Sequence, residues 1–167
     1  MAARRTATGE AATELILSTF RANGLLLAAG DVLSAEEGLT SSRWQVLGAI
    51  ALADRALTVP QIARRMGLTR QSVHASVDRL VRDGLIELRA NADHRRSPLV
   101  HLTERGAATY EAVDERQAAW INRLSRGMGR PDIETAREVL DELCLRLESH
   151  GGEEGEMAPE RGFVRRR

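Results

Sequence analysis

The chain has 167 residues, a length typical of one domain with short flanking segments. It contains 24 arginines, no lysine and 24 acidic residues, so its formal net charge is zero and a uniformly basic, histone-like protein is excluded. No apolar run approaches the ~18–20 residues of a membrane span, and no apolar segment follows Arg4 and Arg5 as in a signal peptide, so we expect a cytoplasmic protein.

Both ends of the chain differ in composition from the segment between them. Residues 1–9 and 151–167 are small, polar or charged, and we expect disordered tails because they have little apolar surface to bury. A first helix is predicted over Glu10 to Ala29, where apolar residues recur at helical spacing along one stripe. That stripe comprises Ile16, Phe20, Asn23 and Leu27. Gly30-Asp31 and Gly38 are then predicted to break the chain.

The second and third helices are predicted from the residues that start them. Thr40 to Ser42 offer several N-caps for the second helix. Its inward residues are Trp44, Leu47 and Ile50. Thr58 and Gln61 have the spacing of a capping box, in which each side chain satisfies a backbone N–H of the other, so they predict the start of the third helix. Gly67 is predicted to end that helix by adopting a left-handed backbone.

A fourth helix and a hairpin follow. Thr69 is predicted to cap the helix and Gly84 to end it. The residues predicted to face inward are Val73, Val77, Leu80 and Val81. Ile86 to Arg89 and Leu99 to Leu102 have alternating apolar residues and are predicted as strands. Between them, Ala90 to Pro98 contains turn-forming residues and two arginines, which indicates a hairpin with a long basic tip.

Two long helices are predicted to complete the chain. Thr103 caps the fifth, whose stripe residues lie three and four apart: Tyr110, Val113, Gln117, Trp120 and Leu124. After a break at Gly127 to Pro131, the last helix repeats that spacing with Ile133, Ala136, Leu140, Leu143 and Leu147. Such stripes indicate helices packed on helices, either within the core or between two chains.

Residues 58–85 have the arrangement of a helix-turn-helix motif, with a short capped helix, a glycine-containing turn and a longer second helix. The residues that start the second helix on its outer side are Thr69, Arg70, Gln71, Ser72, His74 and Ala75. A glutamine can bond adenine, an arginine can bond guanine, a small alanine allows close approach to base pairs, and hydroxyls with free N–H groups suit phosphate. Residues 58–106 contain nine arginines against five acidic residues, a local net charge of +4.

Five segments give the chain a resemblance to the MarR-type winged helix-turn-helix transcriptional regulators. They are Trp44–Leu47, Gln61–Ala63, Val77–Ile86, Asp93–Arg96 and Val100–Gly106. The most specific part is the Asp-x-Arg sequence in the hairpin tip followed by Leu-Thr-x-x-Gly. The resemblance implies a mainly α protein with a small β-hairpin wing, which binds double-stranded DNA specifically, regulates transcription and is not an enzyme.

The resemblance also implies how the chain is divided and assembled. It assigns 10–39 to an N-terminal dimerisation helix and linker, 40–106 to the winged helix-turn-helix lobe, and 107–150 to C-terminal dimerisation helices. A homodimer would reach the two half-sites of a pseudo-palindromic operator about one helical turn apart. It would act as a repressor, relieved when a ligand changes the distance between the recognition helices.

In the wing, the resemblance implies that Arg95 enters the minor groove, that Asp93 helps to hold the tip and that Arg96 contacts the neighbouring backbone. Alternatives remain open for these assignments. The wing arginines could lie in a solvated loop, and the polar residues of the recognition helix could form an ordinary exposed face. Arg79, which we also assign to the DNA surface, and Arg82 could instead be paired with neighbouring acidic residues. The winged helix could also serve a protein partner.

Regulators of this family often bind a small aromatic effector where the helical and DNA-binding lobes meet. Trp44 could line such a pocket, or it could be a core residue. Cys144 is the single cysteine, which fits a reducing compartment. Because it lies beside Leu140 and Leu147, we expect a buried, inert thiol. The alternative is a thiol-based redox-sensing regulator that uses Cys144.

Other function classes lack their sequence signatures. The four histidines, at positions 74, 94, 101 and 150, are scattered over different elements, so we expect no metal site. We expect no cofactor and no catalytic residues, because nucleophile-elbow, zinc-protease and lysine-containing phosphate-loop motifs are all missing. Five aromatic residues are also few for a protein that stacks single-stranded bases.

Overall fold

The structure, a computed structural model, describes residues 4–155, with side chains described as far as residue 149. Its elements are α1 (Ala7–Ser34), α2 (Ser41–Ala51), β1 (Leu57–Thr58), α3 (Val59–Met66), α4 (Arg70–Arg82), β2 (Ile86–Arg89), β3 (Leu99–Leu102), α5 (Glu104–Leu124) and α6 (Arg130–Gly155). The chain divides into two compact units, Met1–Ile121 and Asn122–Arg167. The mainly helical architecture with a small sheet confirms the predicted fold class.

Both predicted tails are partly helical where they are described. At the N-terminus, α1 begins at Ala7 because Thr6 caps it, with Thr6 Oγ1 accepting a hydrogen bond of 3.0 Å from the N–H of Gly9. At the other end, α6 continues to Gly155, since glycines cost an established helix only about 1 kcal/mol each. The remaining parts of the predicted tails, residues 1–3 and 156–167, lie outside the described residues.

The predicted break at Gly30-Asp31 is wrong, because α1 continues through both residues to Ser34. A Cβ at Gly30 would lie 2.9 Å from the Cβ of Ser41, so the glycine allows α1 and α2 to approach closely. Asp31 Oδ1 accepts a hydrogen bond of 2.6 Å from the N–H of Ser41 and so satisfies the start of α2. Gly30 and Asp31 therefore hold α1 against α2. The chain adopts a left-handed turn at Gly38, whose φ is +65°.

The hairpin strands occur where they were predicted, and a third strand joins them. The sheet has the order β1-β3-β2 and is antiparallel throughout. Ile86 is opposite Leu102, and Leu57 of β1 is opposite Val100. At two residues, β1 is too short to show an alternating pattern in the sequence, and only its pairing with β3 defines it.

The hydrophobic core of the first unit lies between α2, α3, α4 and the sheet. Its most deeply buried members, at 2% exposure or less, are Val46, Leu47, Ile62, Ala63, Val73, Val77, Leu80, Ile86 and Val100. Val81 was predicted to face inward and is instead 38% exposed. Each fourth residue advances about 40° around a helix, which moves Val81 from the line of Val77 to the edge of the buried stripe.

One side chain connects the wing to α5. Thr103 Oγ1 accepts a hydrogen bond of 3.0 Å from the N–H of Gly106, as a helix cap, and donates one of 2.8 Å to the carbonyl of Gly84. The N–H of Thr103 donates to the carbonyl of Leu85 at 3.1 Å. Gly106 packs directly on the backbone of Leu85, and a Cβ at this position would lie far inside contact distance of the Leu85 carbonyl.

A second connection joins α5 to the end of α1. The guanidinium of Arg116 donates a hydrogen bond of 3.1 Å to the carbonyl of Leu33 through Nε. Its two terminal nitrogens pair with Glu36, at 3.2 Å, and with Glu37. The fork of the guanidinium thus holds the 3₁₀ turn Ala35–Glu37, which leads from α1 toward α2.

Several large apolar side chains stay exposed in the two terminal helices. In α1, Leu17 is 62% exposed and Phe20 is 68% exposed, while Ile16 and Leu27 are half-buried. An 18-residue window of α1 and its following turn has a mean hydropathy of 1.2, so it meets the length and composition of a membrane span that no unbroken apolar run had indicated. Over residues 130–149 of α6, where side chains are described, none is buried, and Leu147 is 65% exposed.

We expect Gly106→Ala to lower the free energy of unfolding by about 1–3 kcal/mol, because the methyl group would force α5 away from Leu85. Urea unfolding followed by circular dichroism at one protein concentration measures the change. Gly24→Ala is the matched control, since a Cβ at Gly24 meets no atom within 4 Å. It should raise stability by up to about 1 kcal/mol through helix propensity. Equal midpoints for Gly106→Ala and the wild type would contradict the packing argument.

Candidate nucleic-acid interface

The start of α4 is fixed by two consecutive helix boundaries, as the sequence predicted. The N–H of Thr58 donates to Gln61 Oε1 at 2.8 Å in the capping box that begins α3. Gly67 ends α3 with φ of +61°. Thr69 then caps α4, its Oγ1 accepting a hydrogen bond of 3.1 Å from the N–H of Ser72. Together, the end of α3 at Gly67 and the cap at Thr69 set where α4 begins relative to the core.

The first two turns of α4 present one polar face to solvent. The exposed residues are Thr69, Arg70, Gln71, Ser72, His74 and Ala75. On the opposite side, Val73 and Val77 are buried at 0% and 1% exposure, so the outward direction of the polar residues is fixed by packing. Because Thr69 Oγ1 already caps the helix, the backbone N–H of Ser72 is not one of the free donors of the first turn.

Arg79 lies on α4 but is ion-paired, as the alternative interpretation proposed. Its Nε is 3.3 Å from Asp83 Oδ2, and Arg43 Nη1 on α2 is 3.1 Å from the same oxygen. Arg43 Nη2 also donates to the carbonyl of Gly38 at 2.9 Å, and Arg105 Nη1 donates to the backbone carbonyl of Asp83 at 3.1 Å. The C-terminal end of α4 is thereby attached to α2 and to the start of α5. Arg79 is 58% exposed in this pair and stays at the surface.

The wing tip is organised by Asn91, a residue that sequence analysis missed. Asn91 is 9% exposed, and its Nδ2 donates a hydrogen bond of 2.9 Å to the carbonyl of Ser97 across the loop. Its Oδ1 accepts one of 3.1 Å from the N–H of Asp93, which is how Asp93 takes part in the tip. The N–H of Ser97 closes a turn onto the carbonyl of His94 at 2.9 Å. These two hydrogen bonds form a clamp, the Asn91 clamp, across the wing loop. An asparagine in a loop can form such a clamp when it is buried, but the amino-acid sequence does not show that Asn91 is buried.

The structure brings the wing and α4 together at a groove. His74 and Asp78 of α4 line it from one side and Arg96 of the wing from the other, over an apolar floor that includes Val77 and Leu88. Arg95 and Asp93 are exposed at the tip. Of the predicted site residues, His74 and Arg96 therefore meet at one groove. The others at the start of α4 and in the wing are exposed, and Arg79 belongs to the ion-paired end of α4.

Trp44 packs against the core and also lines an open pocket of about 520 Å³, so both interpretations of this residue describe part of its environment. The pocket lies between α2, α3 and α5, with Met66, Tyr110 and Gln117 among its other lining residues. Trp44 Nε1 is buried and has no hydrogen-bond partner among the described residues. Burial, reinforced by the nearby carboxylate of Asp114, raises the pKa of Tyr110 above its usual value. The pocket thus combines aromatic surface with polar groups.

Cys144 is exposed, and the expectation of a buried thiol is wrong for the single chain. The reason is that the α6 stripe, on which the expectation rested, is itself at most half-buried. Among the described residues, no three His, Cys, Asp or Glu side chains converge as a metal site would require.

The chain is similar in sequence to a known protein family and to individual bacterial proteins. A model of the MarR family matches residues 37–97. An uncharacterized protein of Mycobacterium tuberculosis is 43% identical over 135 residues, which cover 81% of this chain and 93% of that protein. The transcriptional activatory protein BadR of Rhodopseudomonas palustris is 30% identical over 122 residues, covering 68% of this chain and 70% of BadR.

A solved structure shows the same fold. The M. tuberculosis transcriptional regulator MOSR, crystallised in complex with DNA, superposes with a TM-score of 0.67 at 24% identity, covering 80% of this chain and 96% of MOSR. The family match and the shared fold both agree with the winged helix-turn-helix described above. The chain belongs to the MarR family of DNA-binding transcriptional regulators, which are not enzymes.

Proposed function

We propose that this protein is a homodimeric, ligand-responsive repressor of the cytoplasm that binds a pseudo-palindromic operator through α4 and the wing. The observation that carries the proposal is the juxtaposition of the exposed first turns of α4 with the wing loop, since His74 of α4 and Arg96 of the wing line the same groove. A protein bound across a promoter blocks access of the polymerase, and repression follows from occupancy alone.

In this proposal the first turns of α4 enter the major groove. Gln71 can donate to N7 and accept from N6 of adenine through one planar amide, and Arg70 can bond guanine. Ala75 leaves room for the helix to approach, and His74 lies one turn further along. Ser72 and the backbone of Thr69 lie where the first turn of a helix holds phosphate.

The wing supplies the second group of contacts. Arg95 is proposed to enter the minor groove beside the half-site, where the potential is most negative over A·T base pairs. Arg96 would contact the adjacent backbone, and Asp93 would keep the tip in place together with Asn91. Neither arginine has a hydrogen-bond or ion-pair partner among the described residues, so both guanidinium groups are available to an external anion.

Dimerisation is supported by the exposed apolar side chains of the terminal helices. Phe20 and Leu25 of α1 are each more than 60% exposed, and so are Leu145 and Leu147 of α6. Large exposed apolar side chains grouped on one helix mark an interaction site. A symmetric dimer would cover the exposed side chains of each helix and would present two recognition helices to half-sites about 10 base pairs apart.

Ligand response is supported by the pocket beside Trp44. Its volume of about 520 Å³ falls within the range that takes small molecules. The aromatic faces of Trp44 and Tyr110 suit a flat aromatic ligand. Since α2, α3 and α5 all line the pocket, an occupant would act on the helices that position α4.

Selection of bound fragments from random duplex DNA tests the proposal, followed by transcription from a promoter containing the recovered sequence. We expect a pseudo-palindrome with half-sites about 10 base pairs apart and less transcript with bound protein. A rise in transcript would indicate activation, the direction for which BadR is named. DNA binding that peroxide abolishes in the wild type but not in Cys144→Ser would favour the redox alternative. No enriched sequence together with a flat salt dependence would favour a protein-interaction module.

We expect Gln71→Ala to relax sequence choice at one base pair of each half-site, reducing discrimination there by about 1–3 kcal/mol. Binding to unrelated duplex should change little, because the lost contact is to a base edge rather than to phosphate. Competition with a series of duplexes, each varied at one base pair, measures the effect. Uniform weakening across the series would contradict the assignment of Gln71 to a base.

We expect Arg95→Ala to weaken binding to the operator and to unrelated duplex alike, and to remove any preference for A·T base pairs beside the half-site. The slope of log affinity against log salt should become shallower by about 0.9, the value of one phosphate contact. Arg123→Ala is the matched control, since Arg123 is also exposed and lies in the last turn of α5, outside the wing. Equal behaviour of the two variants would show that Arg95 belongs to a solvated loop.

A further inference from the structure

A second basic surface lies beside the base of the wing. A cleft of about 550 Å³ separates the turn before β1 and the start of α3 from the wing loop, with Arg55 and Arg64 on one wall and Asn91 and His94 on the other. A neighbouring cleft of about 410 Å³ is lined by the same two arginines and by Arg65. None of these three arginines was assigned a role by the sequence analysis.

The arginines of the winged-helix region fall into two groups. Five of the eleven between residues 40 and 106 bond other described residues: Arg43, Arg65, Arg79, Arg89 and Arg105. Six have guanidinium groups without a hydrogen-bond or ion-pair partner in the described part of the chain: Arg55, Arg64, Arg70, Arg82, Arg95 and Arg96. Three of these six, at positions 70, 95 and 96, belong to the proposed DNA surface already described. Arg55 and Arg64 share one cleft and lack an explanation within the fold.

The cleft is continuous with the groove beneath α4. Pro60, at the start of α3, and Ser97, in the wing, each line both the cleft and that groove. A path along the surface therefore leads from His74 and Arg96 past the base of the wing loop to Arg55 and Arg64. Duplex DNA has one negative charge per about 1.7 Å of its axis, so a backbone running along this path would bring several phosphates past Arg55 and Arg64.

The charges around the cleft favour an anion. Two carboxylates lie nearby, those of Asp54 and Asp93, and neither pairs with Arg55 or Arg64 within the described residues. Arg65 donates to the carbonyl of Leu52 at 3.1 Å and adds a third positive charge. Arginine guanidinium groups match the oxygen geometry of phosphate and remain charged at all accessible pH values.

We propose that Arg55 and Arg64 form a phosphate-binding site that holds the DNA backbone beyond the base pairs contacted by α4 and the wing. The proposal rests on the proposed mode of DNA binding and extends it. It predicts a longer contact with the duplex than the recognition helix and wing make alone. These contacts hold phosphate oxygens and contribute affinity without sequence preference.

The test compares wild-type protein with the double variant Arg55→Gln/Arg64→Gln on a long duplex of mixed sequence and on the duplex recovered by selection. On both, we expect the slope of log affinity against log salt to become shallower by about 1.8, which is two phosphate contacts. The double variant should also leave the sequence preference unchanged. On a duplex trimmed to the half-sites, wild type and variant should bind equally, because the flanking phosphates are absent.

Two controls separate this effect from general loss of charge or fold. Arg126→Gln removes one exposed arginine between α5 and α6 and should leave the slope unchanged. Arg55→Lys/Arg64→Lys keeps both charges and should restore most of the slope. Parallel slopes for wild type and the glutamine double variant, with wild-type binding intact, would overturn this site while leaving the proposed function in place. Wild-type protein that binds neither duplex would overturn both.

Discussion

The hydrogen bonds around Thr103 hold together the parts on which the rest of the winged helix depends. Its hydroxyl and its N–H reach the carbonyls of Gly84 and Leu85, the residues that lead from α4 into β2. The same hydroxyl caps α5, and Gly106 lets that helix rest on the backbone of Leu85. The end of α4, the base of the wing and the start of α5 therefore meet within a few residues. Displacement of any one of them changes the other two.

A second set of contacts, centred on Asp83, fixes the C-terminal end of α4. The carboxylate of Asp83 accepts a hydrogen bond from Arg43 on α2 and forms an ion pair with Arg79 on α4, while its backbone carbonyl accepts a hydrogen bond from Arg105. Because α2 and α5 also line the pocket beside Trp44, the groups that orient α4 and the walls of the proposed effector site belong to the same helices. This arrangement gives a proposed ligand a short physical route to α4, through packed helices rather than through a flexible loop.

Local signals in the sequence predicted much of this lobe. Caps at Thr69 and Thr103, the Thr58–Gln61 box and the left-handed glycines set helix ends through neighbours within a few residues, so the sequence contains the relevant information. The hairpin strands were predicted for the same reason. The family resemblance supplied the fold class and the proposed wing contacts.

The errors arose where the partner is distant along the chain. Gly30-Asp31 has the composition of a break, yet its partner Ser41 is ten residues or more away on α2. The strand β1 exists only through β3, and the role of Asn91 depends on its burial under the loop. Cys144 was expected to be buried because the neighbouring residues on its face of α6 are apolar, but Cys144 is exposed. An apolar helix face in the sequence does not show whether residues of the same chain or of another chain pack against it. Residue types and spacing do not determine such long-range relations.

The Asn91 clamp has a consequence for the kinetics of association. Since its two hydrogen bonds connect the wing loop to itself, the loop has its shape before any partner arrives. Fixing a free backbone costs about 1–2 kcal/mol per residue, a cost that this loop meets during folding rather than during the encounter. An encounter complex can therefore mature without waiting for a loop to order, and differences in affinity between DNA sequences will be expressed mainly in how long the complex lasts.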